Sequence, residues 1–240
     1  MSPANVLLVI PAHNEAASIE RVVAEARRAC PDYDILVIDD GSRDDTGQKA
    51  REAGAMVLTL SYNLGIGGAV RAGYKFGRWH RYSIVARIDA DGQHDPRLLE
   101  EMVDLVKSGQ ADMVIGSRHV NGRGYVPSVV HWIGIRFFAA LVSLATRQRF
   151  TDTTSGFSVI NQRCCSFFAT CLPADYPEIE GLIKACKAGY SIKEVPVIMR
   201  PRLDGESSIG MWDAVYYVFK VTLTILISAS RQREAQKCRR

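Results

Sequence analysis

Five short apolar runs separated by helical patterns constrain the fold of this chain more than any other feature of its 240 residues. The runs are Val6–Ile10, Ile35–Ile38, Ala55–Leu60, Ile84–Ile88 and Met113–Ile115. Helical periodicity occupies the intervals at Ala17–Ala29, Thr46–Ala53, Ile66–Trp79 and Pro96–Ser108. In the last of these, Leu98, Leu99, Met102, Val103, Leu105 and Val106 oppose Glu100, Glu101, Asp104 and Lys107. Continuous apolar runs between helices describe strands buried on both faces, hence an α/β doubly wound fold with a mainly parallel sheet. Ligands of such folds lie at the carboxyl ends of the strands.

Polar residues gather at those ends. The first run opens into Pro11-Ala12-His13-Asn14-Glu15 and the second into Asp39-Asp40-Gly41-Ser42. The third leads to Ser61-Tyr62-Asn63 and the Gly65-Ile66-Gly67-Gly68 turn, the fifth to Gly116-Ser117-Arg118. The fourth delivers Asp89 and Asp91, which a continuing period of two places on one side of the strand end. Mg²⁺ takes one or two protein carboxylates and leaves its other positions to water and substrate phosphates, so this pair suits a hard cation. Capping accounts for Ser18, Asp45 and Thr46. An isolated Asp-x-Asp is equally a solvated turn, but five polar strand ends around one carboxylate pair exceed what capping requires. Gly65–Val70 is no dinucleotide fingerprint, because Val70 stands where the third Gly belongs and the turn follows the third strand. Gly65 serves either close approach to an anion or sugar, or packing.

Composition removes several classes. With 47% hydrophobic and 23% charged residues the chain can bury a core. The net charge of +4 arises from Lys and Arg interleaved with 26 acidic residues, which is no nucleic-acid footprint. The six cysteines form no CxxC pair, so no zinc site is expected and the thiols read as reduced and cytosolic. Neither a signal peptide nor a charge-free apolar stretch of about 18 residues is expected.

Beyond residue 127 the alternation stops. Val129–Ala145 is a strongly apolar helical pattern interrupted by Arg136, which either contacts phosphate or reaches toward a polar boundary. The polar turn Thr151–Gly156 follows, then a helical stretch near Glu178–Ala188 and a strand-like Ile192–Val197. Arg200, Arg202, Ser207 and Ser208 lie in a basic loop that is either an anion clamp or a solvated segment. On the last helical pattern, Met211 to about Gln232, the residues Asp213, Tyr217, Lys220, Thr224, Ser228 and Arg231 form a narrow polar stripe on an otherwise apolar surface. Such a helix needs cover from its own core, a second subunit, a small membrane protein or lipid. The basic tail from Arg231 to Arg240 suits anionic headgroups and favours peripheral attachment. The chain thus divides into a domain of residues 1–210 and a membrane-proximal segment of 211–240.

Taken in order, six motifs resemble the inverting glycosyltransferases of family 2. They are Val9-Ile10-Pro11-Ala12-His13-Asn14-Glu15, Val37-Ile38-Asp39-Asp40-Gly41-Ser42, Asn63-Leu64-Gly65-Ile66-Gly67, Asp89-Ala90-Asp91-Gly92-Gln93-His94, Gly116-Ser117-Arg118 and Asp152-Thr153-Thr154-Ser155-Gly156-Phe157. Glu194-Val195-Pro196 extends the match, and the fourth and sixth motifs are most similar to the dolichol- or polyprenol-phosphate sugar synthases. His13 replaces the Tyr of many relatives, Asp-Thr-Thr-Ser replaces Asp-Pro-Thr-Ser, and the membrane domain some relatives append is not expected here. The resemblance implies a GT-A-type domain. In it Pro11, His13, Asn14 and Glu15 would line the nucleotide pocket, and Asp40 would bond the base or ribose, its other reading being an Asx-turn. Asp89, Asp91 and Gln93 would face Mg²⁺ or Mn²⁺ and the diphosphate, while Arg118, Arg136, Arg202 and Ser207 fall where relatives bind phosphate.

The implied reaction moves a sugar from a nucleoside diphosphate sugar with inversion, through an oxocarbenium-like state. Asp91, with Asp89, would hold the cation against the departing diphosphate. An acceptor phosphate brings its own anionic oxygen and needs arginines to align it. A sugar hydroxyl needs a base, for which Asp152 is the candidate beside a plain turn-capping role. The apolar helices together with Arg118, Arg136 and Arg202 favour a polyprenyl (di)phosphate acceptor in cell-envelope glycan synthesis, met at the cytoplasmic face of the membrane. A catalytically silent nucleotide-sugar-binding scaffold for a membrane assembly is the competing reading.

Overall fold

A computed structural model describes residues 5–119, 129–200 and 222–223, without the side chains of 129–135. The first half alternates as the sequence dictates. β1 (Val6–Ala12), β2 (Asp34–Asp39), β3 (Met56–Thr59), β4 (Ile84–Arg87) and β5 (Met113–Ser117) are separated by α1 (Ile19–Ala29), α2 (Thr46–Glu52), α3 (Gly65–Trp79) and α4 (Leu99–Lys107). A single 3-10 turn at Pro96–Leu98 leads into α4. Then follow α5 (Val129–Thr146), β6 (Ser158–Asn161), α6 (Gln162–Cys171), α7 (Pro177–Lys187) and β7 (Ile192–Pro196). The seven strands form one sheet in the order β3-β2-β1-β4-β6-β5-β7.

Side-chain alternation sorts the sheet into two apolar layers. Leu7, Val9, Leu36, Ile38, Val85, Ile115 and Ile160 pack with buried residues of α3, α5, α6 and α7. Val6, Leu8, Ile10, Ile35, Val37, Ala86, Val114 and Val159 pack with those of α1 and α4. Both faces of the central strands are covered, which is why their sequences read as unbroken apolar runs. α3 lies close to β1 because Gly73 has no side chain: a Cβ there would come within 2.4 Å of Val9.

Three expectations change. β3 is an edge strand with Met56 exposed, so its run is covered less completely than its neighbours. β6, only four residues long and not anticipated as a strand, runs antiparallel to both β4 and β5 and is the antiparallel member of the expected mainly parallel sheet. α6 follows it directly, capped where Asn161 accepts the Cys164 N–H at 2.8 Å, and packs against α3. Cys30, Cys164, Cys165 and Cys186 are free, whereas Cys171 is disulfide-bonded, which corrects the uniformly reduced reading. Sequence spacing does not report which thiols meet in space.

Among the described side chains, the core explains part of the apolar pattern of α5. Phe138 and Val142 are buried in the layer shared with α7 and Ala139 is buried beside them in sequence, while Arg136, Phe137 and Leu144 are exposed. Among the described residues no helix is long and apolar enough to cross a membrane. Arg202, Ser207 and the pattern at 211–232 lie outside the described residues, apart from Thr222 and Leu223.

Candidate active site

β1 is flanked by β2 on one side and β4 on the other, so the sheet reverses its strand order there and a crevice opens at the carboxyl ends. A cleft of about 380 Å³ occupies that position. Pro11, His13, Glu15 and Asp40 line one part of it, with Asn63 and Gly65 from the approach to α3. Arg87, Asp89 and Asp91 line another, joined by Thr154, Gly156 and Glu178.

The loop after β1 is fixed by reciprocal hydrogen bonds to the loop after β2. His13 Nδ1 lies 2.8 Å from the Asp40 carbonyl and Nε2 lies 3.1 Å from the Asn14 amide nitrogen. A carbonyl only accepts, so the His13 proton sits on Nδ1 and Nε2 accepts from Asn14. Asn14 adopts φ of 55°, receives the Arg43 N–H at 2.9 Å and donates its own N–H to Ser42 at 3.0 Å. The Glu15 N–H donates to Thr46 Oγ1 at 2.8 Å. Asn14 therefore shapes the pocket as a turn residue, while its neighbours His13 and Glu15 present side chains to it. Asp40 is buried, and its carboxylate accepts the Leu64 N–H at 2.7 Å, holding the entry to α3 against β2. The turn bond of this loop is made by Asp39, whose carboxylate accepts the Ser42 N–H at 3.0 Å, while Asp40 lines the cleft.

The acidic part is built on a buried cation. β4 ends at Arg87, whose side chain is 6% exposed and pairs with Asp89 at 3.1 Å and Glu178 at 2.8 Å. Burial works against the guanidinium charge, and Asp89 and Glu178 more than restore it. For Asp89, burial acts to raise the carboxyl, and Arg87 and His94 outweigh it and hold the group below the usual carboxylate range. His94 Nδ1 accepts the Asp89 N–H at 3.0 Å, and the ring stacks on Phe157 at 4.9 Å. Burial pushes that imidazole down against the pull of Asp89 and Asp91. Period-two alternation carries only as far as Asp89. Asp91 arrives through a turn at Gly92, φ 75°, in which its carboxylate accepts the Gln93 N–H at 3.1 Å. Gly156 completes the arrangement, since a Cβ there would lie 2.5 Å from Asp89 Oδ2 and 2.8 Å from Arg87 Nη2.

Two residues assigned from sequence also hold the loops around the cleft. The Gln93 amide nitrogen donates to the Arg200 carbonyl at 3.4 Å, which braces the acidic loop and leaves the amide oxygen, the atom a cation would take, outside that bond. Asp152 is fully buried, and Arg118 binds it through Nε at 2.6 Å and Nη2 at 2.7 Å. Burial acts to raise this carboxyl, but Arg118 overrides it and holds the group low. A carboxylate so enclosed is a poor proton acceptor for an incoming hydroxyl. Arg118 also donates to Thr154 Oγ1 at 2.6 Å and so reaches the cleft through that residue. Arg136 is exposed and near enough to His119 to depress that imidazole, together with burial and the Arg118 charge.

Sequence reasoning gave no role to Arg87, His94, Glu178 or Glu194, although His94 and Glu194 stand within its motifs. Glu194 on β7 accepts the backbone N–H groups of Thr151 and Asp152, each at 2.9 Å, and so fixes the turn that carries Asp152 and Thr154. Arg87 offered a signal of its own, a charged residue inside an apolar strand pattern.

Among the described residues no group of three or more His, Cys, Asp or Glu side chains is arranged to hold a metal. Asp89 and Asp91 in one polar cleft still fit Mg²⁺ or Mn²⁺, whose remaining positions are taken by water and phosphate oxygens.

Comparison with known proteins agrees with this layout. The chain is 31% identical over 220 residues to an undecaprenyl-phosphate mannosyltransferase of Micrococcus luteus, covering 85% of this chain and 87% of that one. It is 31% identical over 230 residues to a polyprenol monophosphomannose synthase of Mycolicibacterium smegmatis, covering 90% and 84%. In fold it matches glucosyl-3-phosphoglycerate synthase of Mycobacterium tuberculosis in complex with Mn²⁺, UDP and glucosyl-3-phosphoglycerate, with a TM-score of 0.71 at 21% identity over 95% of this chain and 80% of that one. The same enzyme has been crystallised with Mg²⁺ and UDP, TM-score 0.72 at 22% identity, with 95% and 80% covered. The profile described as Glycosyl transferase family 2 matches residues 7–167, and the chain belongs to that family.

Proposed function

We propose that this chain transfers a sugar from a nucleoside diphosphate sugar to a polyprenyl phosphate, inverting the anomeric centre. One observation carries the reading: at the sheet's switch point the loops of His13 and Asp40 share a single cleft with Asp89 and Asp91. The names of the M. luteus and M. smegmatis relatives support the acceptor class and make a mannosyl donor the first to test. UDP with Mn²⁺ or Mg²⁺ in the M. tuberculosis structures supports the donor side.

On this reading the base and ribose lie along Pro11, His13 and Asp40, and the diphosphate reaches Asp89 and Asp91. A Mg²⁺ or Mn²⁺ held by Asp91 and Asp89 would offset the negative charge that grows on the diphosphate. Arg87 keeps Asp89 ionised and aimed, and Gly156 leaves the room in which it does so. An acceptor phosphate attacks with an oxygen that is already anionic, so no base is required. The enclosure of Asp152 is consistent with such an acceptor. Arg136 is the described candidate for aligning it, with Arg202 and Ser207 as further candidates from the sequence. The work is done at a membrane surface, where the lipid head must be presented.

Purified full-length protein with Mg²⁺ or Mn²⁺ and a panel of nucleoside diphosphate sugars should glycosylate polyprenyl phosphate in preference to saccharide hydroxyls. Preference for a saccharide would refute the acceptor, and donor binding without turnover would favour the silent scaffold. Deleting residues 212–240 should release the protein from vesicles and reduce transfer to the lipid more than donor hydrolysis.

A further inference from the structure

Arg200 lies beyond β7, at the far edge of the sheet from β3, yet it is tied to the loop that carries the acidic pair. Its N–H donates to the Gln93 carbonyl at 2.9 Å and its carbonyl accepts the Gln93 side-chain amide at 3.4 Å. Gln93 in turn donates its backbone N–H to the Asp91 carboxylate at 3.1 Å. One residue therefore separates Arg200 from the carboxylate assigned to the cation.

The side chain fixes where that backbone sits. The guanidinium pairs with Glu25 of α1 at 2.6 Å and with Asp95 at 3.1 Å, two residues beyond Gln93. It is about one-third exposed, and both partners are less so. A planar fork bridging two carboxylates on different elements defines a position far better than a single flexible ammonium could. Arg97 also pairs with Asp95, but it is well exposed and makes no described bond to Gln93 or Glu25. The two arginines thus share one partner and differ in what they hold.

We propose that Arg200 is a positioning residue for cation binding, clasping the Asp91–Asp95 loop to α1 so that the Asp91 carboxylate is presented to the cleft. The inference rests on the functional reading above and adds a residue to it. Partners that orient a metal ligand contribute about 10–100-fold to metal affinity. Loss of the clasp should therefore weaken cation binding while leaving the nucleoside contacts at His13 and Asp40 in place.

The test is Mn²⁺ binding to the full-length protein, followed by the electron paramagnetic resonance of free Mn²⁺, beside metal-free binding of UDP and GDP. Arg200→Ala should raise the Mn²⁺ dissociation constant about ten-fold or more. Glu25→Gln, which removes one anchor, should raise it by a smaller factor, and Arg97→Ala should leave it unchanged. Metal-free nucleotide affinity should hold in all three, and Arg200→Lys should recover only part of the loss. Wild-type Mn²⁺ affinity in a folded Arg200→Ala protein overturns the clasp. An equal loss in Arg97→Ala also overturns it, because a general effect of surface charge would then suffice. Should Arg200→Ala not fold, an unchanged Mn²⁺ constant in Glu25→Gln overturns it instead. Wild-type protein that binds neither Mn²⁺ nor nucleotide overturns the functional reading and this inference with it.

Discussion

Gly156→Ala is the sharpest perturbation of the candidate site. The φ of Gly156 is outside the left-handed region, so the backbone accepts alanine and the whole effect is steric. The new methyl would lie 2.5 Å from Asp89 Oδ2 and 2.8 Å from both Asp89 Oδ1 and Arg87 Nη2, where ordinary contact begins at 3.4 Å. The nearest oxygen must then retreat by about 0.9 Å. Asp89 is short, its N–H is held by His94 and its carboxylate by Arg87, so it cannot swing aside cheaply. Misplacing a reacting group by about 1 Å costs on the order of 10²-fold in rate. Overpacking a tight site costs about 1–3 kcal/mol, which for a chain of this size lowers Tm by roughly 2–12 °C. Transfer kinetics and calorimetric melting of the variant measure both. A rate within two-fold of wild type would show that Asp89 does not need its position, and the reasoning would fail.

Two further outcomes follow from the ion pairs. Arg118→Ala strands the fully buried Asp152 carboxylate and should cost about 3–5 kcal/mol in urea unfolding, with Asp152→Asn milder; a loss below about 1 kcal/mol would contradict the buried pairing. Bonding to Arg97 brings the Asp95 carboxyl down from 3.8 to about 2, so its contribution is complete above the unfolded value and fades as pH falls from about 4 toward 2. Asp95→Asn should cost about 1 kcal/mol at neutral pH after solvent screening and flatten the acid limb of stability over that window, as pH-dependent melting would show.

The sheet was legible because buried strands need unbroken apolar runs and helices need their stripe. β6 escaped notice because four residues, Ser158 to Asn161, carry too little pattern to separate from the polar turn before them. α6 escaped although Cys164, Cys165, Phe167, Phe168 and Cys171 form one apolar face opposite Gln162, Arg163, Ser166 and Thr170, because the helix is only 10 residues long and follows β6 without a break. The strand-end residues were legible for a topological reason: any parallel sheet delivers the ends of its strands to one edge. Their roles were less so. Gln93 and Asp152 both looked like chemistry in sequence, and both make their described bonds to loop partners, Arg200 and Arg118. Those partners stand 107 and 34 residues away along the chain, beyond the reach of any local pattern.

The proposed reaction is a single displacement by a lipid phosphate at the cleft of Asp89 and Asp91. The measurement that tests it most directly is the nuclear magnetic resonance of the product formed from an α-linked nucleoside diphosphate sugar and polyprenyl phosphate. The account predicts a β-linked sugar phosphodiester on the lipid, absent when Asp91→Asn replaces the wild type. An α-linked product, or undiminished transfer by Asp91→Asn, would contradict it.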